Sequence, residues 1–511
     1  MKFFRSIINP FVVALLVVCV QGNVFAGAFF AADFYDEPGV RLLNQPIGDY
    51  RARRQRLLSE IKDGVVVILG NVEEGAGVEA RYRQNNWMAY LTGVRTPQAA
   101  LMLVPPGLPS ENNAREIVFI PPRDVRSERW TGVQLAPGDE TAKAFGVERV
   151  LPTIINDARG DTATTATTTT TANTTTPTTS ATPDRAAKYN VLLKLKEAAL
   201  LPAFKNASGQ SKMKLYTIAP RRLREGNMRE YQFTEMVKKE LPGVEVVSVT
   251  NIVAEMRKAK SAAELVLLQK AIDITGEAER DAARALKPGM YEYEAQSIIE
   301  AAFTRGGAER PGFPSIVGSG LYSTILHYSE NHKRIDAGDL VVCDIGAEYS
   351  LYTADITRTF PASGKFNARQ RAVYQLVLNT QSAAAAYWKP GMKQLDLNLF
   401  AQNFMRQSTL RAKDTDGREY TMDHFFIHGL GHYLGMDVHD VGNYSRPMQP
   451  GEVFTIEPGI YIQTEKLGIR IEDDYVITPE NTVRKLSAAI PSAPDEVERL
   501  MTEGSSRRAV R

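Results

Sequence analysis

Ala337-Gly338-Asp339-Leu340-Val341-Val342-Cys343-Asp344-Ile345-Gly346 and Pro450-Gly451-Glu452-Val453-Phe454-Thr455-Ile456-Glu457-Pro458-Gly459 are the stretches from which the fold is read. They correspond position by position: a turn, an acid, an apolar strand of the kind that is buried on both faces, then a carboxylate one step before x-Gly. A second echo precedes each copy. Lys287-Pro288-Gly289-Met290 closes one Ala-rich helical stretch and Lys389-Pro390-Gly391-Met392 closes another. Single four-residue coincidences are common, whereas two echoes in the same order point to an internal duplication. The expectation is two αβ halves related by an approximate two-fold, each delivering carboxylates to one central place.

Working outward, a helix is expected from Asn251 to Leu286, where Leu265, Leu268, Ala271 and Ile272 recur at helical spacing. Upstream, Tyr50 to Ile61 reads as a basic amphipathic helix, and Val65 to Gly70, Ala100 to Val104 and Ile117 to Ile120 read as strands of a smaller α/β domain. Between Thr162 and Thr182 there are 14 Thr in 21 residues with no apolar face, so residues 162–183 are expected to be a disordered insertion in that domain. The first residues read as an export signal: Lys2 and Arg5, an apolar run from Phe11 to Val20, and small residues up to Ala26. The run is about half of the ~20 residues a spanning helix needs, so no stable membrane anchor is expected. Val17 and Val18 before Cys19 disfavour a lipid anchor, and cleavage after Ala26 leaves Cys343 alone, so no internal disulfide can form. The expected organisation is a signal at 1–26, a first domain at 27–250, a second at 251–490 and a C-terminal tail at 491–511. With 511 residues, 43 % of them hydrophobic, and a formal net charge of +2, the chain suits a soluble globular protein. No basic stripe with interleaved aromatics supports nucleic-acid binding.

Asp344 ends an apolar strand and Asp355 lies eleven residues on, so two strands joined by a short turn would bring both to one face. Glu457 and Glu472 form the equivalent pair in the second half. Buried carboxylates repel one another and pay a desolvation penalty, and metal is the natural compensator. Four of them match the charge of two divalent ions, which at a spacing of ~3.5–4 Å hold a hydroxide between them. All six His lie in the second domain, four of them at His424, His428, His432 and His439. The glycines of His428-Gly429-Leu430-Gly431-His432-Tyr433-Leu434-Gly435 argue for loop or strand, while His332 and His424 fall outside any matched pattern and are expected to be structural.

Ile325-Leu326-His327-Tyr328, Asp344-Ile345-Gly346, Asp355-Ile356-Thr357-Arg358-Thr359-Phe360, His428-Gly429-Leu430-Gly431-His432, Val438-His439-Asp440, Glu457-Pro458-Gly459 and Gly468-Ile469-Arg470-Ile471-Glu472-Asp473 resemble, in order, the motifs of the pita-bread metallopeptidases. The branch they look most like is aminopeptidase P and prolidase, and the resemblance covers the chain beyond Asn251. Arg83-Gln84-Asn85-Asn86-Trp87 with Tyr90-Leu91-Thr92-Gly93 is more loosely similar to the N-terminal domain those proteins share. The resemblance implies a pita-bread α/β (α+β) fold with a pseudo-two-fold, and Asp344, Asp355, His432, Glu457 and Glu472 as ligands of two divalent ions, Asp355 and Glu472 bridging both. An oxygen-rich set with one imidazole suits Mn²⁺ in hardness, which is the expected ion, while ligand type alone leaves Zn²⁺, Co²⁺ and Fe²⁺ open. It further implies that His327 and His439 face the substrate and stabilise the carbonyl oxygen. His428 would contact substrate or relay protons, Glu457 would act as general base, and Arg470 would orient Glu472. One position departs from the pattern: Phe313 stands three residues before Ile316 where many relatives carry Tyr, so a hydroxyl is missing there.

The activity so implied is release of the N-terminal residue from peptides with proline second, by attack of a hydroxide held between the two metals. The expected setting is an exported compartment and the expected state a homo-oligomer. Prolidase, restricted to Xaa-Pro dipeptides, is the near alternative. Methionine aminopeptidase is disfavoured by the large N-terminal domain, and creatinase-like chemistry by the intact ligand set. A binding protein that has lost catalysis on the same scaffold is the remote alternative, disfavoured on the same ground.

Overall fold

A computed structural model describes residues 43–73, 82–106, 108, 113–156, 187–206, 208–209, 211–219 and 228–508. The expected export segment at 1–26 and Thr insertion at 162–183 lie outside the described residues. The first domain carries α1 (Ile47–Glu60), α2 (Asn86–Thr92) and a sheet of β1 (Gly64–Leu69), β2 (Ala100–Leu103), β3 (Glu116–Ile120), β4 (Arg149–Pro152), β5 (Lys214–Thr217) and β6 (Glu245–Ser248). Its order is β4-β3-β2-β1-β5-β6, with β1 antiparallel to β2 and parallel to β5. The central strand is apolar throughout because both faces are covered. Val65 and Val67 pack with Leu195, Phe204 and Phe233, while Val66 and Ile68 join a core that runs through Leu57, Met88 and Leu91 into Leu268 and Ile272 of the second domain. One hydrophobic cluster therefore spans both domains.

The helix expected from Asn251 to Leu286 is two helices, α3 (Thr250–Lys258) and α4 (Ala262–Ala285). Ala259 turns extended, at φ −90° and ψ 117°, and the Lys260 N–H donates to the Gly451 carbonyl at 2.8 Å. Lys260 Nζ is buried on Asp440 Oδ2 at 3.0 Å. Ser261 and Glu264 then form a capping box that restarts the helix.

From α4 onward the duplication is visible in the order of elements. The first copy runs α4, Lys-Pro-Gly-Met turn, α5 (Glu292–Arg305), β7 (Ile316–Ser319), β8 (Leu340–Ile345), a small hairpin of Ala347–Tyr349 and Tyr352–Thr353, and β9 (Ile356–Pro361). The second runs α6 (Ala368–Tyr387), the same turn, α7 (Gln394–Arg406), β10 (Val453–Ile456), a hairpin of Gly459–Ile462 and Leu467–Arg470, and β11 (Asp473–Ile477), extended by β12 (Val483–Lys485). Gly289 and Gly391 hold equivalent left-handed conformations, φ +89° and +91°, at a cost only glycine escapes. In each copy an acid then caps the next helix, Glu294 accepting from the Tyr291 N–H and Asp396 from the Lys393 N–H. The antiparallel sheets β7-β8-β9 and β10-β11-β12 meet where Thr357 and Glu472 form an isolated bridge. Residues 491–511, expected as a tail, instead contribute α8 (Pro494–Arg508). Val497, Leu500 and Met501, at i, i+3 and i+4, are buried in the second-domain core, and the helix packs on α4.

Candidate active site

All four carboxylates stand at strand ends next to the join. Asp344 is the penultimate residue of β8 and pairs with Thr357 of β9, so Asp355, two residues before Thr357, points to the same face. The expected short turn between the two strands is the Ala347–Thr353 hairpin. In the second half Ile456 pairs with Asp473, which places Glu457 and Glu472 opposite one another just beyond β10 and β11. His432 comes from a loop, as its glycines suggested. The loop is stitched to β10 by Thr455 Oγ1, which accepts from the His432 N–H at 3.1 Å, and by the Thr455 N–H, which donates to the His432 carbonyl at 2.9 Å. A Cβ on Gly431 would lie 2.0 Å from the Thr455 carbonyl oxygen, so only glycine lets the backbone come this close.

These residues converge. His432 Nε2 lies 3.3 Å from Asp355 Oδ2, 3.5 Å from Glu457 Oε1 and 3.9 Å from Glu472 Oε1. Asp344, Asp355, His432, Glu457 and Glu472 line one cavity of about 350 Å³ together with His327, His428, His439, Tyr444 and Arg470. Burial, then repulsion from Asp344, drives the Asp355 carboxyl well above its ordinary range; burial, Asp355 and Glu457 do the same to Glu472. Glu457 is pushed up to about 7, by burial foremost. Asp344 Oδ1 and Glu472 Oε1 are buried without a hydrogen-bond partner. His432 Nδ1 approaches the Tyr433 carbonyl at 3.1 Å and donates to it, so in a neutral ring Nε2 presents a lone pair to three carboxylates. Acceptors facing acceptors in a buried pocket fit one occupant, a cation, and the donor set of four carboxylates and one imidazole suits divalent ions.

Arg470 is buried and differs from its expected role. It donates from Nη2 to Asp344 Oδ2 at 2.5 Å, from Nη1 to Tyr461 OH at 2.9 Å and from Nε to Thr357 Oγ1 at 3.2 Å. It reaches Glu472 only through Thr357, whose hydroxyl donates to Glu472 Oε2 at 2.7 Å. The Tyr461 hydroxyl donates a hydrogen bond to His428 Nε2 at 2.8 Å, while His428 Nδ1 donates to the Gly429 carbonyl. Burial, then Arg470, lowers the His428 ring to about 4, so it stands neutral. His439 packs edge-on to His432 at 4.2 Å between centroids and is likewise lowered, by burial and then by His432 and His327. His327 is exposed and lines the same cavity. His424, on Asp414 at 2.7 Å, and His332, beside Tyr328 and Glu330, stand outside the cavity.

Sequence reasoning missed Tyr461, Thr357 and Asp474. Asp474 Oδ2 accepts from the Asp355 N–H at 3.3 Å and its other oxygen is buried without a partner. Thr357 and Asp474 lay inside quoted or adjoining motifs, where strand alternation from Asp355 and Glu472 marks both as facing the site. Nothing in the sequence marks Tyr461.

A duplicated αβ domain with a carboxylate and imidazole cluster at its seam defines a metal-dependent hydrolase. Residues 266–479 match Metallopeptidase family M24, and residues 50–163 match the aminopeptidase P N-terminal domain. The chain is 32 % identical to Xaa-Pro aminopeptidase of Escherichia coli (strain K12) over 478 residues, 89 % of this chain and 97 % of that protein. It is 33 % identical to Xaa-Pro dipeptidase of Homo sapiens over 302 residues, 49 % of this chain and 61 % of that protein. The low-pH structure of aminopeptidase P from E. coli superposes with a TM-score of 0.71 at 30 % identity, covering 90 % of this chain and 99 % of that one. The chain belongs to metallopeptidase family M24, on its aminopeptidase P side, and has the pita-bread fold with the N-terminal domain of that branch.

Proposed function

We propose that the chain is a Xaa-Pro aminopeptidase, releasing the N-terminal residue of peptides whose second residue is proline. Asp344, Asp355, His432, Glu457 and Glu472 would hold two divalent cations, with Mn²⁺ the ion the donor set favours. The observation that carries this is the convergence of those five side chains with buried acceptor atoms left unpartnered. The near full-length match to an aminopeptidase, against a partial match to a dipeptidase, favours the longer substrates. Divalent ions held here supply Lewis-acid polarisation and offset the crowded negative charge. The chain's own groups do the rest. Glu457, in the cavity beside His432, would take the proton of the attacking water and return it to the departing proline nitrogen. His327 and His439, on the cavity wall, donate to the carbonyl oxygen as charge develops on it. Arg470 and Tyr461 fix Asp344 and the neutral His428 ring.

A peptide panel tests the proposal. Xaa-Pro-Pro tripeptides are expected to turn over well above Xaa-Pro dipeptides, to lose turnover in chelator and to regain it with Mn²⁺. Cleavage confined to dipeptides would make the chain a prolidase, and chelator-insensitive cleavage would remove the metal assignment. The proposal includes export with cleavage after Ala26 and self-association, to be checked by N-terminal sequencing of the exported protein and by light scattering.

A further inference from the structure

The motif Arg83-Gln84-Asn85-Asn86-Trp87 takes no part in the chemistry above, yet it touches the loops on which that chemistry hangs. Gln84 and Asn85 stay within the first domain: Gln84 Nε2 donates to the Val94 and Thr96 carbonyls, and Asn85 caps α2 through the Met88 N–H while donating to the Leu69 carbonyl. Their neighbours cross the boundary. Asn86 Nδ2 donates to the Met436 carbonyl at 3.0 Å and to Asp437 Oδ1 at 2.7 Å. Arg83 Nη2 donates to the same Met436 carbonyl at 3.3 Å, and Arg83 Nε to both oxygens of Glu348 at 3.0 and 2.9 Å. Met436 and Asp437 lie between His432 and His439; Glu348 lies in the hairpin between Asp344 and Asp355. Trp87 stacks on Arg257, whose Nη2 takes the second oxygen of Asp437 at 2.7 Å and Asp440 Oδ1 at 2.6 Å.

We infer that Arg83 and Asn86 are positioning residues for the active site: the first domain is a strut that fixes the His432–His439 loop and the hairpin between Asp344 and Asp355 relative to one another. Residues 432–434 are laddered to β10, whereas residues 435–439 are irregular and depend for their placement on anchors from elsewhere. His439 stands between Asp437, held by Asn86 and Arg257, and Asp440, held by Arg257 and Lys260. The inference rests on the proposed function only in giving His439 a place against the substrate.

Asn86→Asp keeps the shape of the side chain and replaces its donors with oxygen facing the Met436 carbonyl and Asp437. Amide hydrogen exchange across residues 433–440 is expected to rise about tenfold, with β1 unchanged. Turnover should fall about tenfold with KM shifted by less than about threefold, and Asp437→Asn, which restores the donor and acceptor pair between the two side chains but not the bond to the Met436 carbonyl, should recover part of it. In a His439→Ala background Asn86→Asp should cost less than the roughly tenfold it costs alone, because one of the two imidazoles that the strut positions is already gone. Exchange at 433–440 that does not change, or losses that multiply in the His439→Ala background, would overturn the inference. Asn86→Ala repeats each arm if the aspartate variant fails to fold. If the wild-type chain cleaves no Xaa-Pro peptide, the substrate reading fails and the exchange arm alone decides the strut.

Discussion

Arg470 bonds Asp344, Tyr461 and Thr357 from three different nitrogens, so its planar fork and not merely its charge is in use. Arg470→Lys is expected to lower kcat/KM by about ten- to a hundredfold, and Tyr461→Phe by about tenfold, with both proteins folded by circular dichroism. The raised carboxyls give a sign for pH. Glu457 moves from an ordinary carboxylate value to about 7 on folding, so the metal-free protein binds protons that the unfolded chain has released. Its contribution is fully present below the unfolded value and is lost as pH rises through about 7. Calorimetry in chelator should therefore show a lower melting temperature at pH 8 than at pH 5.5; added Mn²⁺ should narrow the gap, and Glu457→Gln should shrink it without metal. The ligand-type residues were legible because acids and imidazoles stand out at the ends of apolar strands. Tyr461 was not, because an aromatic in an apolar strand looks like core until its hydroxyl is placed against Arg470.

The break between α3 and α4 shows what periodicity alone leaves out. Leu265, Leu268 and Ile272 recur correctly, but at the interruption Lys260 meets groups far along the chain, the Gly451 carbonyl and Asp440. A local signal was available in Ser261-Ala262-Ala263-Glu264, which has capping-box spacing, and in Val497, Leu500 and Met501 for α8. Ser261→Ala is expected to destabilise the protein by about 1 kcal/mol in denaturant titration and to leave turnover unchanged. Gly431→Ala, which forces a methyl against the Thr455 carbonyl, should displace His432 and lose both stability, by about 1–3 kcal/mol, and divalent-ion affinity in calorimetric titration. Strand alternation placed the carboxylates well. The hairpin between Asp344 and Asp355 was invisible as such, since Tyr352-Thr353 is too short for a periodic pattern.

At the scale of the whole molecule the two domains are joined by a shared core and by the buried ion pair of Arg53 with Glu264 at 3.1 Å, while Arg257 and Lys260 hold Asp440 buried inside the second domain. Removing one partner of such a group leaves charge stranded, so Asp440→Ala should cost about 3–5 kcal/mol in denaturant titration, with both domains still unfolding in a single transition. The duplication behind this architecture was readable from two echoes, whereas the fusion of the domains was not, because each domain's apolar faces say only that something covers them. The seam at Thr357 and Glu472 has a practical consequence. A slip of one half past the other by a fraction of an ångström reaches the donor set before it disturbs the hydrophobic interior. Stored, warmed or awkwardly tagged preparations of this protein would fall silent while still showing native ellipticity and a normal hydrodynamic radius, so specific activity, and not spectroscopic appearance, is the proper gauge of sample quality.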